Sequence, residues 1–139
     1  MKQKLTARDI QTYVKLAIWI VVIGLLCFSP GDHISGMRLS SIIPAWIKPY
    51  ADKIIHFTMF FVLAFLIKSL HWQKTIDTKT YHIYILAGVA YAISTELIQH
   101  FFIYMRSGDI LDFASDSVGM ALSILVFPFY PKFIRWIFG

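Results

Sequence analysis

Carboxylate, imidazole and amide side chains recur at helical spacing in three short segments of the chain. The pairs are Asp52 with His56, Glu96 with Gln99, and Asp112 with Asp116. Residues three or four apart share one face of a helix. Carboxylates gathered beside an imidazole can exchange protons, hold a divalent cation through oxygen ligands, or bind a cationic or polar head group. Residue types alone leave these three kinds of chemistry open.

Further charged residues flank the three pairs. Lys53 directly follows Asp52, and Arg106 and Asp109 precede Asp112. Both cations would offset the mutual repulsion of the carboxylates, which is strong when acids lie close together. We therefore count them among the candidates for one polar site.

The composition places these residues in a membrane protein. Of 139 residues, 58% are hydrophobic and only 15% are charged, whereas about 25% of a soluble domain is charged. Four apolar stretches approach the roughly 20 residues that a membrane-crossing helix needs. They cover residues 13–28, 54–70, 81–104 and 112–129. We predict a single all-α membrane domain over residues 1–139, a bundle of four transmembrane helices with a long loop over residues 30–53.

Small residues continue two of the polar stripes along their helices. The stripes are Gly88, Ala92, Glu96 and Gln99 on the third span, and Asp112, Asp116, Gly119 and Ser123 on the fourth. Small residues let membrane helices approach closely, so the polar groups should point into the bundle. The second, third and fourth spans are therefore predicted to line a polar pocket.

Basic residues predict the orientation of the bundle. Nine of the thirteen Lys and Arg residues fall at the two ends of the chain or between the second and third spans. Cytoplasmic segments are enriched in Lys and Arg, so both termini should be cytoplasmic and the pocket should open outward. The net positive charge is then explained by the orientation of the bundle and by contact with anionic lipid. We therefore predict no nucleic acid partner.

Each candidate residue also has a purely structural interpretation. Asp52 and Asp109 suit the cap or first turn of a helix, where a carboxylate meets free backbone N–H groups. Lys53 and Arg106 suit anchors at the membrane interface. Asp112 also suits the first turn of its helix, and Asp116 would only pair with a nearby Lys or Arg. Packing contacts between helices would account for Glu96 and Gln99, and His56 would be a core histidine with its hydrogen bonds satisfied.

The three segments together resemble the VanZ-like family. Residues 52–57 look like the family signature Asp-Lys-x-x-His-Phe, and Glu96 with Gln99 is similar to its Glu-x-x-Gln. After Arg106, the family pattern Asp-x-x-x-Asn-x-x-Gly corresponds to residues 112–119. Asp116 stands where that pattern has Asn, which adds a potential charge. The resemblance implies a small multi-pass protein of the bacterial cytoplasmic (inner) membrane, in a family named for low-level resistance to teicoplanin-type glycopeptides.

The favoured interpretation is an outward-facing site that binds or modifies a cell-envelope component, such as a lipid head group or cell-wall precursor. His56, Glu96 and Asp112 would form its catalytic centre. Six residues would position the ligand: Asp52, Lys53, Gln99, Arg106, Asp109 and Asp116. The sequence leaves open whether a reaction is catalysed and whether a divalent cation takes part.

Membrane lipids, and a lipid-linked envelope precursor or glycopeptide, are the expected partners of such a site. Two alternatives use the same residues differently. A proton-coupled transporter or lipid flippase would carry protons on its buried carboxylates. A non-catalytic membrane assembly module would use the polar residues only to pack helices.

Overall fold

Four long helices make up the fold. The structure is a computed structural model that describes residues 5–28, 44, 46–47, 50–103 and 108–130. Helix α1 spans Ala7–Phe28, α2 spans Ala51–Trp72, α3 spans Thr78–Phe102 and α4 spans Ile110–Val126. A 3₁₀ turn, Phe127–Phe129, continues α4. Each helix, counted with this extension for α4, is long and apolar enough to cross a membrane, which confirms the prediction of four spans.

Polar side chains fix the helix ends at residues outside the apolar stretches. Thr6 and Asp9 form a reciprocal capping box, in which each side chain accepts the other's backbone N–H. Asp77 caps α3 by accepting the Thr80 N–H at 2.7 Å. Hydropathy does not detect such caps, so α1 begins six residues before the predicted residue 13, and α3 three residues before residue 81.

The end of α1 at Phe28 agrees with the prediction, and most of the other boundaries differ by two or three residues. Helix α2 extends the predicted 54–70 at both ends, α3 ends two residues before residue 104, and α4 begins at Ile110 rather than 112. The predicted end at residue 129 corresponds to the 3₁₀ turn, where Pro128 cannot donate a helical hydrogen bond. Most of the predicted loop 30–53 lies outside the described residues.

A tight turn joins α2 to α3. Lys74 adopts a left-handed conformation with φ 62°. Its N–H bonds to the His71 carbonyl, and the Thr75 N–H bonds to the Leu70 carbonyl. This is the Schellman pattern that closes a helix and satisfies its last carbonyl groups. Because the turn is short, α2 and α3 run in opposite directions, so α2 begins at the end of the bundle where α3 ends.

Helix α2 forms the centre of the bundle. It packs most extensively against α4 and also contacts α1 and α3. Phe60, Leu63 and Leu70 on α2 are at most 2% exposed. The outward faces of the other helices are apolar, with Leu25, Leu86 and Leu125 each more than 60% exposed. Apolar outward faces around a packed interior are what hydrocarbon surroundings require of a helix bundle.

An apolar cavity of about 340 Å³ lies between α1, α2 and α3. Leu16, Leu63 and Gly88 contribute to its walls, and no charged side chain lines it. The lining of this cavity therefore differs from the charged and polar residues at the end of the bundle.

Candidate functional site

The two predicted stripes of small and polar residues face the interior. All four residues of the α3 stripe are buried, and so are all four of the α4 stripe. Glu96 lies six residues before the end of α3, and Asp116 six residues after the start of α4. Both therefore lie about 9 Å inside the helix ends. We call this end of the bundle, where α2 and α4 begin and α3 ends, the acidic end.

A glycine brings α4 into backbone contact with α2. A Cβ atom at Gly119 would collide with the Phe57 carbonyl oxygen and would lie 3.2 Å from the Phe61 nitrogen. No residue larger than glycine fits this crossing without a shift of the helices. Asp116 is one turn before Gly119, and His56 directly precedes Phe57. The close crossing therefore holds Asp116 against His56.

Three ionisable side chains from three helices meet at this crossing, and we call them the buried triad: His56, Glu96 and Asp116. His56 Nδ1 lies 3.1 Å from Asp116 Oδ1 and 3.6 Å from Glu96 Oε1. His56 and Asp116 are at most 1% exposed, and Glu96 is 9% exposed. Such groups are costly inside a membrane protein and are functional candidates for that reason.

Within the part of the chain that the structure describes, two oxygens of the triad have no hydrogen-bond partner. They are Glu96 Oε1 and Asp116 Oδ2. His56 Nδ1 lies near both carboxylates, but a single N–H can form a good hydrogen bond to only one of them. The shorter distance favours Asp116 as the acceptor. The triad therefore has capacity for a further hydrogen-bond donor or a cation. An unsatisfied buried polar atom carries a desolvation cost of about 1–3 kcal/mol.

A second layer covers the triad, and we call it the lysine bridge: Lys53, Asp109 and Asp112. Lys53 Nζ donates to Asp109 Oδ2 at 2.8 Å and to Asp112 Oδ1 at 3.0 Å. Asp109 also caps α4 by accepting the Leu111 N–H at 2.9 Å. The Lys53 ammonium, followed by the Leu111 N–H, holds the pKa of the Asp109 carboxyl below its ordinary value. Asp109 thus combines the capping role and the ionic role.

Glu96 connects the two layers. Its second oxygen, Oε2, accepts the Asp109 backbone N–H at 2.9 Å. Gly108 makes this contact possible, because a Cβ atom there would lie only 2.6 Å from the Glu96 carbonyl oxygen. Gly108 was not among the predicted site residues. Its position directly before a capping aspartate was the available signal, since a turn packed against a helix favours glycine.

The structure brings seven of the nine candidate residues together. Asp52 belongs with His56 and Asp112 to a set whose ligand atoms lie within 4.8 Å of one another. Asp116, rather than Asp112, makes the short contact with His56, while Asp112 bonds to Lys53. Gln99 instead donates to the Cys27 carbonyl of α1 at 2.9 Å. Arg106 lies outside the described residues.

The contact of Gln99 with α1 was not predicted. The pocket was predicted to be lined by the second, third and fourth spans, whereas Gln99 connects its α3 wall to the end of the first helix. A backbone carbonyl leaves no pattern in a sequence, so no signal at Cys27 indicated this contact. It holds α1 beside α3 at the acidic end.

The arrangement supports three kinds of chemistry. His56 can exchange a proton with either carboxylate of the buried triad. Two sets of three groups could hold a metal ion, with ligand atoms within 4.8 Å: Asp52, His56 and Asp112, or His56, Glu96 and Asp116. The carboxylates can also accept hydrogen bonds from a polar ligand.

Comparison with known proteins identifies the family of the chain. No curated protein and no solved structure gives a significant match. The VanZ/LLP1 family pattern matches residues 7–133, which include all four helices and every candidate residue. The chain is therefore a multi-pass membrane protein that belongs to the VanZ/LLP1 family.

Proposed function

We propose that the acidic end faces outward from the bacterial cytoplasmic membrane and binds or modifies a cell-envelope component, and that it thereby contributes to glycopeptide resistance. The ligand would be a lipid head group or a lipid-linked cell-wall precursor. One observation carries the proposal: His56, Glu96 and Asp116 converge from three helices, are buried, and leave two carboxylate oxygens without a partner. Packing alone does not account for oxygens that contact no donor.

The charge of the site indicates the chemistry of its ligand. Five acids lie in the two layers and beside them, namely Asp52, Glu96, Asp109, Asp112 and Asp116. Among the described residues, Lys53 contacts Asp109 and Asp112, and His56 contacts Glu96 and Asp116. Negative charge in excess favours a ligand that offers an ammonium group or several hydroxyl and amide donors. Head groups and precursors of the cell envelope carry such donors.

The distribution of buried groups favours a site at one end over a path across the membrane. Among the described residues, the buried carboxylates and imidazole all belong to the acidic end, and the buried polar side chains elsewhere are hydroxyls such as Thr12 and Ser69. A proton-coupled transporter needs titratable groups that connect both sides. This observation makes transport the weaker candidate.

The proposal is tested by removing one charge without changing the size of the side chain. Glu96→Gln keeps an acceptor for the Asp109 N–H and removes one of the two carboxylates of the buried triad. We expect cells producing this variant at the wild-type membrane level to lose their teicoplanin resistance. Binding of a soluble short-chain aminophospholipid to the purified variant should weaken about tenfold or more, since a hydrogen bond to a charged group contributes about 1.5–3 kcal/mol.

Asp77→Asn is the matched control. It makes the same charge change at the opposite end of the bundle, and Asn is an equally good helix cap. This variant should keep wild-type susceptibility and binding. Full resistance and full binding in Glu96→Gln, at normal protein level, would contradict the proposed function.

A further inference from the structure

The ligand atoms of the buried triad have the spacing of a metal coordination shell. Zinc and similar cations bind nitrogen and carboxylate oxygen at about 2.0–2.2 Å in a tetrahedron, which separates the ligand atoms by about 3.3 Å. His56 Nδ1 lies 3.1 Å from one carboxylate oxygen and 3.6 Å from the other. All three ligand atoms lie within 4.8 Å of one another, so a single cation between the side chains would draw them closer together.

The partnerless oxygens are a second, independent observation. Glu96 Oε1 faces His56 but has no donor, and Asp116, which is fully buried, has an unpartnered Oδ2. One proton on Nδ1 cannot satisfy both carboxylates. A cation attracts all three groups at once and gives Glu96 Oε1 the partner that it lacks.

A competing set of groups shares His56 with the triad. In that set, the Asp112 carboxylate already receives the Lys53 ammonium at 3.0 Å, and Asp52 is partly exposed. An ammonium next to a ligand oxygen repels a metal cation. Among the described residues, no lysine or arginine forms an ion pair with the carboxylates of the buried triad, so the triad is the better of the two sets.

We propose that His56, Glu96 and Asp116 together bind one divalent transition-metal ion, of the Mn²⁺ or Zn²⁺ type. An imidazole ligand favours such ions over Ca²⁺ and Mg²⁺, which take oxygen ligands almost exclusively. Three protein ligands leave a coordination position open for another molecule. In this respect the inference rests on the proposed function: a phosphate or carbonyl oxygen of the bound envelope component would occupy the open position and be polarised by the ion.

Binding is measured with the metal alone, on the full chain in lipid nanodiscs. After chelator treatment, Mn²⁺ is titrated and the free ion is followed by electron paramagnetic resonance, with Zn²⁺ and Mg²⁺ as competitors. We expect one Mn²⁺ per chain, displacement by Zn²⁺ but not by equimolar Mg²⁺, and a spectroscopic coupling from one imidazole nitrogen. The coupling is observed on the wild-type protein and so does not depend on any variant folding.

Variants then assign the ligands. Asp116→Asn should weaken Mn²⁺ binding at least about tenfold, since even groups that only support a ligand change metal affinity by about 10–100-fold. Asp52→Asn, a matched removal of one nearby carboxylate, should weaken it far less. Thermal unfolding and size-exclusion profiles verify that both variants are folded. Absence of bound metal in the wild type, or loss of binding in Asp52→Asn with retention in Asp116→Asn, overturns the inference.

The two proposals can fail separately. If the chain binds no metal and Glu96→Gln still abolishes resistance, the metal site is wrong and the proposed function stands. If the chain binds Mn²⁺ through the triad and Glu96→Gln keeps full resistance, the metal site stands and the proposed function is wrong.

Discussion

Lys53 partly offsets the negative charge of the site. Its ammonium contacts two carboxylates, while its own helix also carries Asp52 and His56. The lysine is about a quarter exposed and Asp112 only 6%, so the bridge lies at the boundary between the interior and the surroundings. It leaves the deeper triad free to interact with something other than lysine.

The pH dependence of stability should reveal the Lys53–Asp109 contact. The folded state lowers the pKa of Asp109 below 3.8, so the ionised carboxylate stabilises the fold. That contribution is complete above pH 3.8 and is lost as the pH falls through the lower, folded value. We expect Asp109→Asn, which keeps the cap, to lower stability by about 0.2–1 kcal/mol at pH 7, as exposed ion pairs do. The difference should disappear in acid.

Thermal unfolding of both proteins between pH 7 and pH 3 measures this effect. The same pair of proteins in a Lys53→Met background is the control, because the pH-dependent part due to the ion pair should then be much smaller. A difference between wild type and Asp109→Asn that stays constant down to pH 3 would contradict the assignment.

The spacing of the residues in the sequence was sufficient to assign them to the buried faces of their helices, but not to predict which side chains contact each other. The four-residue periods put Asp112 and Asp116 on one buried face, as observed. Which of the two meets His56 depends on the depth at which α2 and α4 cross, and no local pattern encodes that depth. The bond between Glu96 and a backbone N–H was equally invisible, because every residue except proline offers such a donor.

At the scale of helices, the crossing of α2 and α4 determines the geometry of the triad. Gly119 contacts the α2 backbone directly, so the distance between these helices is set by the absence of a side chain. The sequence analysis predicted this close approach from the small-residue stripe. The helix ends were less predictable, because capping residues such as Thr6 and Asp77 lie outside the apolar stretches.

Gly119→Ala should separate the two helices. The new methyl group collides with backbone atoms, which cannot rotate away, so we expect a loss of about 1–3 kcal/mol in the free energy of unfolding. Mn²⁺ binding should weaken as well, because His56 and Asp116 move apart. Denaturant unfolding in detergent and the Mn²⁺ titration provide the two measurements.

Gly24→Ala is the control for the change of residue type. Its new Cβ atom would meet the Tyr91 hydroxyl at 3.2 Å and the Phe28 ring at 3.6 Å. Both are ends of side chains that can shift, and alanine favours a helix over glycine by about 1 kcal/mol. If both variants lose stability equally, close approach at Gly119 is not the cause.

For the whole molecule, charge separates along the bundle axis. The acidic end holds both polar layers, while Arg8, Lys68 and Lys79 lie toward the opposite end. The fold itself was predictable at this scale, since four apolar stretches of membrane-crossing length have few other arrangements. The direction in which the bundle crosses the membrane rests on the count of basic residues.

Accessibility in intact cells tests that direction. In a Cys27→Ala background, we expect Trp46→Cys to react with a membrane-impermeant maleimide without permeabilisation. Lys79→Cys should react only after permeabilisation, because the α2–α3 turn is predicted to be cytoplasmic. Both positions are exposed in the structure. The reverse pattern of labelling would contradict the predicted orientation and the outward opening of the site.

The burial of Asp112 and Asp116 on α4 also bears on how the protein is made. A helix that carries two acids partitions poorly into lipid on its own, since an ionised aspartate opposes insertion. Their partners, Lys53 and His56, lie on α2. During synthesis α2 leaves the ribosome well before α4, so it can wait at the translocon and receive the later segment. We therefore expect the contacts that build the site to make the membrane integration of the last helix depend on an earlier one.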